Sequence, residues 1–119
     1  MKCLTYNVWF DDFNKEERYQ VIMQMLQESD AEFICLQEVT QTFMTQYILK
    51  APFIRENYFI SGNTISGYGV LILTKFPSHF YEVPLPTKMA RSLLICEPLK
   101  GDKLFAIATV HLESGGALS

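Results

Sequence analysis

The sequence lacks the features that mark several common classes of protein. No hydrophobic run approaches the length of a membrane span, and apolar runs such as residues 70–73 are only as long as a strand. There is no glycine-rich phosphate loop of the P-loop type, no zinc-ligand spacing and no Gly-x-Ser-x-Gly turn. Basic residues are not in excess, since 10 lysines and arginines against 13 acidic residues leave a net charge of −3. These absences argue against a membrane protein, an acyl-transfer enzyme and a general nucleic-acid binder.

Cysteines are few, and no pair of them has the CxxC spacing. Cys3, Cys35 and Cys96 each lie inside an apolar, strand-like segment. This placement is typical of small buried residues in a reducing compartment. We therefore expect three buried thiols in an intracellular protein, located in the nucleus or the cytoplasm.

The residues that are present predict one globular domain of mixed type. The chain has 119 residues, of which 49% are hydrophobic, enough to bury a core. Residues 2–8 read as a strand, followed by a helix that begins at Asn14 with Glu17 completing a capping box. In this helix Tyr19, Ile22, Met23 and Leu26 fall at helical spacing on one face. A second strand at 33–36 precedes a second helix, which Thr40 caps and Pro52 ends.

The second half of the chain changes to a run of strands. We predict strands at residues 58–60, 69–74, 79–83, 93–97 and 104–112. The spacers between them are short, which favours antiparallel pairing. Two strand–helix passes followed by such strands indicate an α/β sheet with helices packed on one face.

Three strand-like segments end in side chains capable of chemistry. Asn7, Glu38 and His111 each stand at or just after the carboxyl end of a strand, where α/β sheets place their ligands. Glu38 alone is enough to begin a magnesium site, because Mg²⁺ uses one or two carboxylates together with water and phosphate oxygens. An imidazole such as His111 can donate a proton or a hydrogen bond to phosphate. The simpler interpretation is a solvated acid, an amide satisfying a turn and a structural histidine.

Other polar and aromatic residues allow more than one interpretation. Arg91 suits a bidentate phosphate contact but equally suits an exposed strand edge. Ser114, with the backbone amides that follow it, suits an anion cradle or a plain loop. Trp9 and Phe10 suit stacking on a base, although packing is the commoner role for such residues.

Four strings, taken in order, resemble the first half of the endonuclease/exonuclease/phosphatase superfamily. They are Thr5-Tyr6-Asn7-Val8, Leu36-Gln37-Glu38-Val39, the segment 68–75 and Thr109-Val110-His111-Leu112-Glu113-Ser114. The segment 89–94 and the string His-Leu-Glu-Ser are most similar to the tyrosyl-DNA phosphodiesterase 2 branch. The resemblance implies that residues 1–119 form the N-terminal portion of a four-layer α/β sandwich of the deoxyribonuclease I type, with helices on one face of a mixed sheet.

The resemblance also implies a chemistry and the residues that perform it. The family hydrolyses phosphodiesters with Mg²⁺, Mn²⁺ being an alternative, and the branch acts on DNA with a 5′-phosphotyrosyl end. By position, Glu38 would bind the metal, while Asn7 and His111 would hold the phosphate. Ser114 and Arg91 would be further substrate contacts.

One part of the family pattern does not occur in this sequence. Family members continue with a Gly-Asp-x-Asn segment and a Ser-Asp-His segment, whereas no Asp or His follows His111 here. Three interpretations therefore stay open: a phosphodiesterase, a catalytically incomplete binding module that self-associates through exposed strand faces, and a phosphodiesterase for another substrate such as a phosphoinositide.

Overall fold

Seven strands form two separate sheets in this computed structural model, which describes residues 2–9, 11–62, 68–84, 92–99 and 107–109. The first sheet contains β1 (Cys3–Asn7), β2 (Phe33–Thr40), β3 (Phe59–Ile60) and β4 (Tyr68–Thr74). The second contains β5 (Ser78–Pro84), β6 (Ser92–Pro98) and β7 (Ile107–Thr109).

The first sheet is mixed, with strand order β1-β2-β4-β3. β1 and β2 are parallel and are joined by a helix, α1 (Lys15–Ser29). The other two pairs, β2 with β4 and β3 with β4, are antiparallel. Because β1 and β2 run in the same direction, the carboxyl end of β1 lies beside the later part of β2, with Asn7 opposite Gln37. β2 was predicted to end at residue 36 but continues to Thr40.

Helix α1 buries the face that its sequence predicts. Tyr19, Ile22 and Leu26 are buried, and the helix ends with Asp30 as its C-cap. The predicted capping box at Asn14 is wrong. Asn14 adopts a left-handed conformation (φ 45°, ψ 37°) and makes no side-chain cap hydrogen bond, whereas a capping side chain requires extended backbone to reach the first amides.

The second helical region differs from its prediction at one end. The Thr40 hydroxyl accepts a hydrogen bond of 3.1 Å from the amide of Phe43, as predicted for a cap. A short α2 (Gln41–Phe43) continues as a π-helical segment (Met44–Ile48). Pro52 does not end this helix but begins α3 (Pro52–Asn57); proline suits a first helical position, where its missing N–H is not needed.

The later strands form as predicted, within one or two residues at their ends. β5 pairs with β6, and β6 with β7, both in antiparallel fashion. Of the predicted strand at 104–112, the structure describes residues 107–109; the remainder lies outside the described residues.

The first sheet separates two hydrophobic cores. Its helix-side core includes Ile34 and Leu36 of β2 together with buried residues of the helices. Its opposite face packs against the second sheet through Phe33, Cys35, Ile72, Leu94 and Cys96. The alternation along β2 follows from the two-residue repeat of a strand, and the predicted mixed sheet with helices on one face is confirmed.

Two of the three cysteines are buried. Burial raises the pKa of the Cys35 thiol to about 11 and also raises that of Cys96, so both thiols stay protonated near neutrality. The prediction for Cys3 is wrong, since it is exposed. Within the described part of the chain, β1 lies at the edge of its sheet, which leaves Cys3 uncovered.

Apolar side chains remain on the outer face of the second sheet. Tyr81 and Val83 of β5 are 44% and 40% exposed. Self-association through such faces stays a prediction. As for membranes, none of the helices in the described ranges combines the length and the apolar character needed to cross a bilayer.

Candidate active site

Asn7, the last residue of β1, meets Glu38 near the carboxyl end of the parallel strand β2. The side-chain nitrogen Nδ2 of Asn7 donates a hydrogen bond of 2.7 Å to Oε2 of Glu38. Asn7 is exposed and Glu38 is half-buried, so the pair is open to a ligand. The structure thus brings together two of the three strand-end residues that the sequence identifies; their chemical roles stay predictions.

A β-bulge keeps Glu38 out of the hydrophobic core. Leu36 pairs with Leu71 and Val39 pairs with Gly69, so two residues of β2, Gln37 and Glu38, lie opposite one residue of β4. In an unbroken strand Glu38 would share the helix-side face with Leu36. The extra residue instead places Val39 in that core, where it is fully buried, and re-aims the carboxylate toward Asn7.

The backbone at the bulge adopts an uncommon conformation. Glu38 has φ 55°, in the left-handed region that side chains other than glycine, asparagine and aspartate seldom enter. Such a conformation costs on the order of 1–2 kcal/mol per residue. It persists only where surrounding contacts impose it, and residues of this kind cluster at functional sites.

Both ends of the Asn7 amide are engaged. Its Oδ1 accepts a hydrogen bond of 2.9 Å from the backbone amide of Trp9, while Nδ2 faces Glu38. The amide of Val8 donates to the carbonyl of Gln37 at 2.8 Å, which extends the β1–β2 pairing one residue past Asn7. These contacts fix the orientation of the amide, because only an oxygen can accept from the amide of Trp9 and only a nitrogen can donate to a carboxylate.

Arg18 holds the loop between β1 and α1 in place. Its guanidinium donates to the carbonyls of Trp9 and Phe13, and at 2.8 Å to that of Asp11. The same group stacks on the indole of Trp9, with 4.6 Å between Cζ and the ring centroid, and on Tyr19 at 5.4 Å. Since the loop leaves the site directly after Asn7, Arg18 is a positioning residue for that amide.

Sequence reasoning did not identify Arg18, although one signal points to it. Arg18 lies in the first turn of α1, where the helix dipole disfavours a positive charge. In the described part of the chain, Arg18 forms no ion pair with a carboxylate. A cation at this position without such a pair indicates that it binds other groups nearby. These groups are the backbone carbonyls of the preceding loop.

The oxygen donors at this site fit a hard divalent cation. Within the described ranges, no three His, Cys, Asp or Glu side chains are grouped to hold a metal. One carboxylate braced by an amide is nevertheless the kind of partial protein site that Mg²⁺ uses, since this ion retains several waters and shares its ligands with phosphate. Cys35 and Cys96 are buried in the core between the two sheets. Their sulfur atoms therefore do not compete as soft ligands for a metal at Glu38.

Three of the predicted site residues lie outside the described residues. These are Arg91, His111 and Ser114. Their predicted contacts with substrate therefore stay predictions.

A family model described as the endonuclease/exonuclease/phosphatase family matches residues 4–99. The chain belongs to this family. The match covers β1 to β6 and both residues of the Asn7–Glu38 pair. Comparison with curated protein sequences gives no match.

Solved structures of the family share the fold of this chain. The crystal structure of TDP2 (tyrosyl-DNA phosphodiesterase 2) from D. rerio, complexed with a single-strand DNA product, matches with TM-score 0.82 and 23% identity, over 98% of this chain and 47% of that one. TDP2 from Caenorhabditis elegans matches with TM-score 0.75 and 20% identity, over 95% and 47%. ANGEL2, described as a 2′,3′-cyclic phosphatase, matches with TM-score 0.68 and 17% identity, over 92% and 41%.

This chain therefore spans about half the length of the solved structures that it matches. At these identities the likeness concerns the fold. It confirms the predicted α/β sandwich architecture, while the family that the sequence strings predicted is confirmed by the family model.

Proposed function

We propose that this chain carries part of the active site of a divalent-metal-dependent phosphodiesterase that acts on DNA with a 5′-phosphotyrosyl end. The observation that carries the proposal is the 2.7 Å contact between Asn7 and Glu38 at the bulged end of β2. The family match supports the reaction class. The DNA-bound D. rerio structure supports DNA as the ligand.

The charges at the site explain why a metal is needed. The described residues present a carboxylate, Glu38, to a ligand that is itself an anion, and the whole chain has a net charge of −3. A phosphodiester beside a carboxylate is repelled unless a cation lies between them. Glu38 would hold Mg²⁺ or Mn²⁺, which when bound neutralises charge on phosphate oxygens and organises the attacking water.

Asn7 has two roles in this account. One N–H of Nδ2 orients the Glu38 carboxylate. The amide group carries a second N–H, which we assign to a non-bridging phosphate oxygen. Hydrogen bonds of this kind position the phosphate for in-line attack and stabilise the charge that develops on it.

The family resemblance assigns the remaining contacts. His111 would donate to the phosphate, and Ser114 would be a further substrate contact. Arg91 would contact the substrate through its planar guanidinium, which matches two phosphate oxygens at once.

The proposal is tested by turnover of a 5′-phosphotyrosyl oligonucleotide by this chain in the presence of Mg²⁺. We expect hydrolysis that EDTA abolishes and that Glu38→Gln lowers by about 100-fold or more. The matched control is Glu56→Gln, which removes an exposed carboxylate on α3 and should leave turnover unchanged.

Other outcomes separate the alternatives. Metal-dependent binding of the oligonucleotide by a folded sample with no hydrolysis would contradict turnover by this chain and favour the binding module. An oligonucleotide ending in a 2′,3′-cyclic phosphate serves as the competing substrate, and preference for it would contradict the tyrosyl-DNA assignment while keeping the reaction class.

A further inference from the structure

Trp9 is an exposed aromatic side chain beside the candidate site. It is the sole tryptophan of the chain, and 44% of its surface is exposed. It follows the last backbone hydrogen bond between β1 and β2, which the amide of Val8 makes with Gln37. The indole therefore stands at the same sheet edge as Asn7 and Glu38.

Several contacts hold Trp9 in one orientation. Its amide donates to Oδ1 of Asn7 at 2.9 Å, and its carbonyl accepts from the guanidinium of Arg18. That guanidinium also stacks on the indole ring at 4.6 Å. A tryptophan fixed by its backbone and by one side of its ring is pre-organised, because little side-chain freedom remains to be lost when a ligand binds.

The conformation of Trp9 is unusual for so large a residue. Its φ is 67°, in the left-handed region, where a bulky residue is a marked outlier. Packing does not account for the strain, since nearly half of the residue remains exposed. Strained, exposed and pinned residues next to a site indicate a role toward a ligand.

We propose that the indole of Trp9 stacks on a nucleobase of a single-stranded ligand whose phosphate lies at Asn7 and Glu38. The inference rests on the proposed function and adds a contact outside the reacting atoms. Stacking suits this position because every base offers a flat π-face, so that binding gains affinity without sequence preference. It also supplies attraction that the negative net charge of the chain does not.

The single tryptophan makes the contact directly measurable. The ligand is a 5′-phosphorylated single-stranded oligonucleotide, added with Mg²⁺ to the whole chain while tryptophan emission is recorded. We expect saturable quenching as the base stacks on the indole. An otherwise identical oligonucleotide whose 5′-terminal residue is abasic should bind through its phosphates with little quenching.

Variants give an independent measurement through the anisotropy of a dye at the 3′ end of the oligonucleotide. Trp9→Ala should weaken binding of the base-bearing ligand by about 5- to 100-fold, while Trp9→Phe, which keeps a ring, should retain most of the affinity. The matched control is Phe59→Ala on the opposite edge strand of the same sheet, where the phenyl group is 48% exposed; it should bind like the wild type.

The outcomes distinguish this inference from the function on which it rests. If both ligands bind in a manner that requires Glu38, but with equal affinity and no quenching, the stacking contact is wrong and the phosphodiesterase proposal stands. If neither ligand binds a folded sample, both are wrong. Equal losses in Trp9→Ala and Phe59→Ala would also overturn the assignment, since they would show a general effect of removing a surface ring.

Discussion

Along β2, the interior residues and the carboxyl end differ in burial, in geometry and in what they contact. Phe33, Ile34 and Leu36 are fully buried and alternate regularly between the two cores. Gln37 and Glu38 are half-buried and share one partner across a bulge. The same strand thus contributes stability in its first half and a strained, accessible carboxylate at its end.

The difference shows how a regular sheet produces an irregular site. Buried apolar residues fix the register of β2 against β4, because a slip by one residue would turn Ile34 and Leu36 out of the helix-side core. The register is fixed on both sides of the bulge. The irregularity is therefore confined to Gln37 and Glu38. The strain at Glu38 is therefore supported by packing elsewhere along the strand.

Truncating the interior should have the largest effect on stability. Ile34→Ala removes a fully buried side chain from the helix-side core and should lower the free energy of unfolding by about 2–5 kcal/mol, measured by urea denaturation. Metal affinity of the folded fraction should stay unchanged. A loss of metal binding in a sample that is still folded would show that interior and end are not separate in function.

Because Cys35 is buried, the free energy of unfolding should depend on pH. Burial raises the pKa of Cys35 to about 11, above the value near 8.5 of an unfolded thiol. As pH rises, the thiol loses its proton in the unfolded state before it does so in the folded state. The contribution of Cys35 to the free energy of unfolding is therefore fully present below about pH 8.5 and is lost as pH rises toward 11. The total loss is about 3 kcal/mol.

Chemical denaturation across this pH range compares wild type with two variants. Cys35→Ala should show a shallower fall in stability with pH than the wild type. Cys3→Ala, which removes an exposed thiol that raises the pKa of Cys35 less than burial does, should stay much closer to the wild type than Cys35→Ala. Equal slopes for all three proteins would mean that Cys35 is accessible to water.

The loop beside the end of β2 depends on Arg18. Arg18→Lys keeps the charge but loses the fork that binds the carbonyls of Trp9, Asp11 and Phe13. Stability should fall by about 1–2 kcal/mol, and affinity for a 5′-phosphorylated oligonucleotide should fall more than stability explains. A loss of stability with binding intact would reduce Arg18 to a structural role.

The bulge itself predicts a reversal of the usual ranking of glycine and alanine. Both Glu38→Gly and Glu38→Ala remove the carboxylate, but glycine adopts positive φ without a steric penalty. The glycine variant should be more stable than the alanine variant by about 1 kcal/mol. At Thr5 in regular β1 the order should be opposite, and the same order at both positions would argue against the bulge.

Local pattern was sufficient to predict most of the fold. Short apolar runs predicted the strands. The helical spacing of Tyr19, Ile22, Met23 and Leu26 predicted the buried face of α1, in which Met23 is only half-buried. Asn7 and Glu38 were predicted as site residues because they follow predicted strands, and α/β sheets place their ligands at the carboxyl edge. Each of these predictions depends on neighbours in sequence or on a general property of sheets.

What the sequence did not reveal depends on contacts that are distant along the chain. The bulge at Glu38 is defined by the pairing of β2 with β4, and no local sequence pattern predicts it. The Arg18 guanidinium selects carbonyls up to nine residues away. Cys3 was misjudged because its exposure depends on which strand lies at the edge of the sheet. Asn14 was misjudged because capping residues and left-handed residues are drawn from the same types.

The proposed function depends on a divalent cation held by Glu38 in the bulge of β2, beside Asn7 at the end of β1. The most direct measurement is a Mn²⁺ titration followed by electron paramagnetic resonance, comparing wild type with Glu38→Gln, Asn7→Ala and the control Glu56→Gln. We expect saturable Mn²⁺ binding by wild type and Glu56→Gln, weaker binding by Asn7→Ala, and loss of binding in Glu38→Gln. Equal Mn²⁺ affinity in wild type and folded Glu38→Gln would contradict the proposed function.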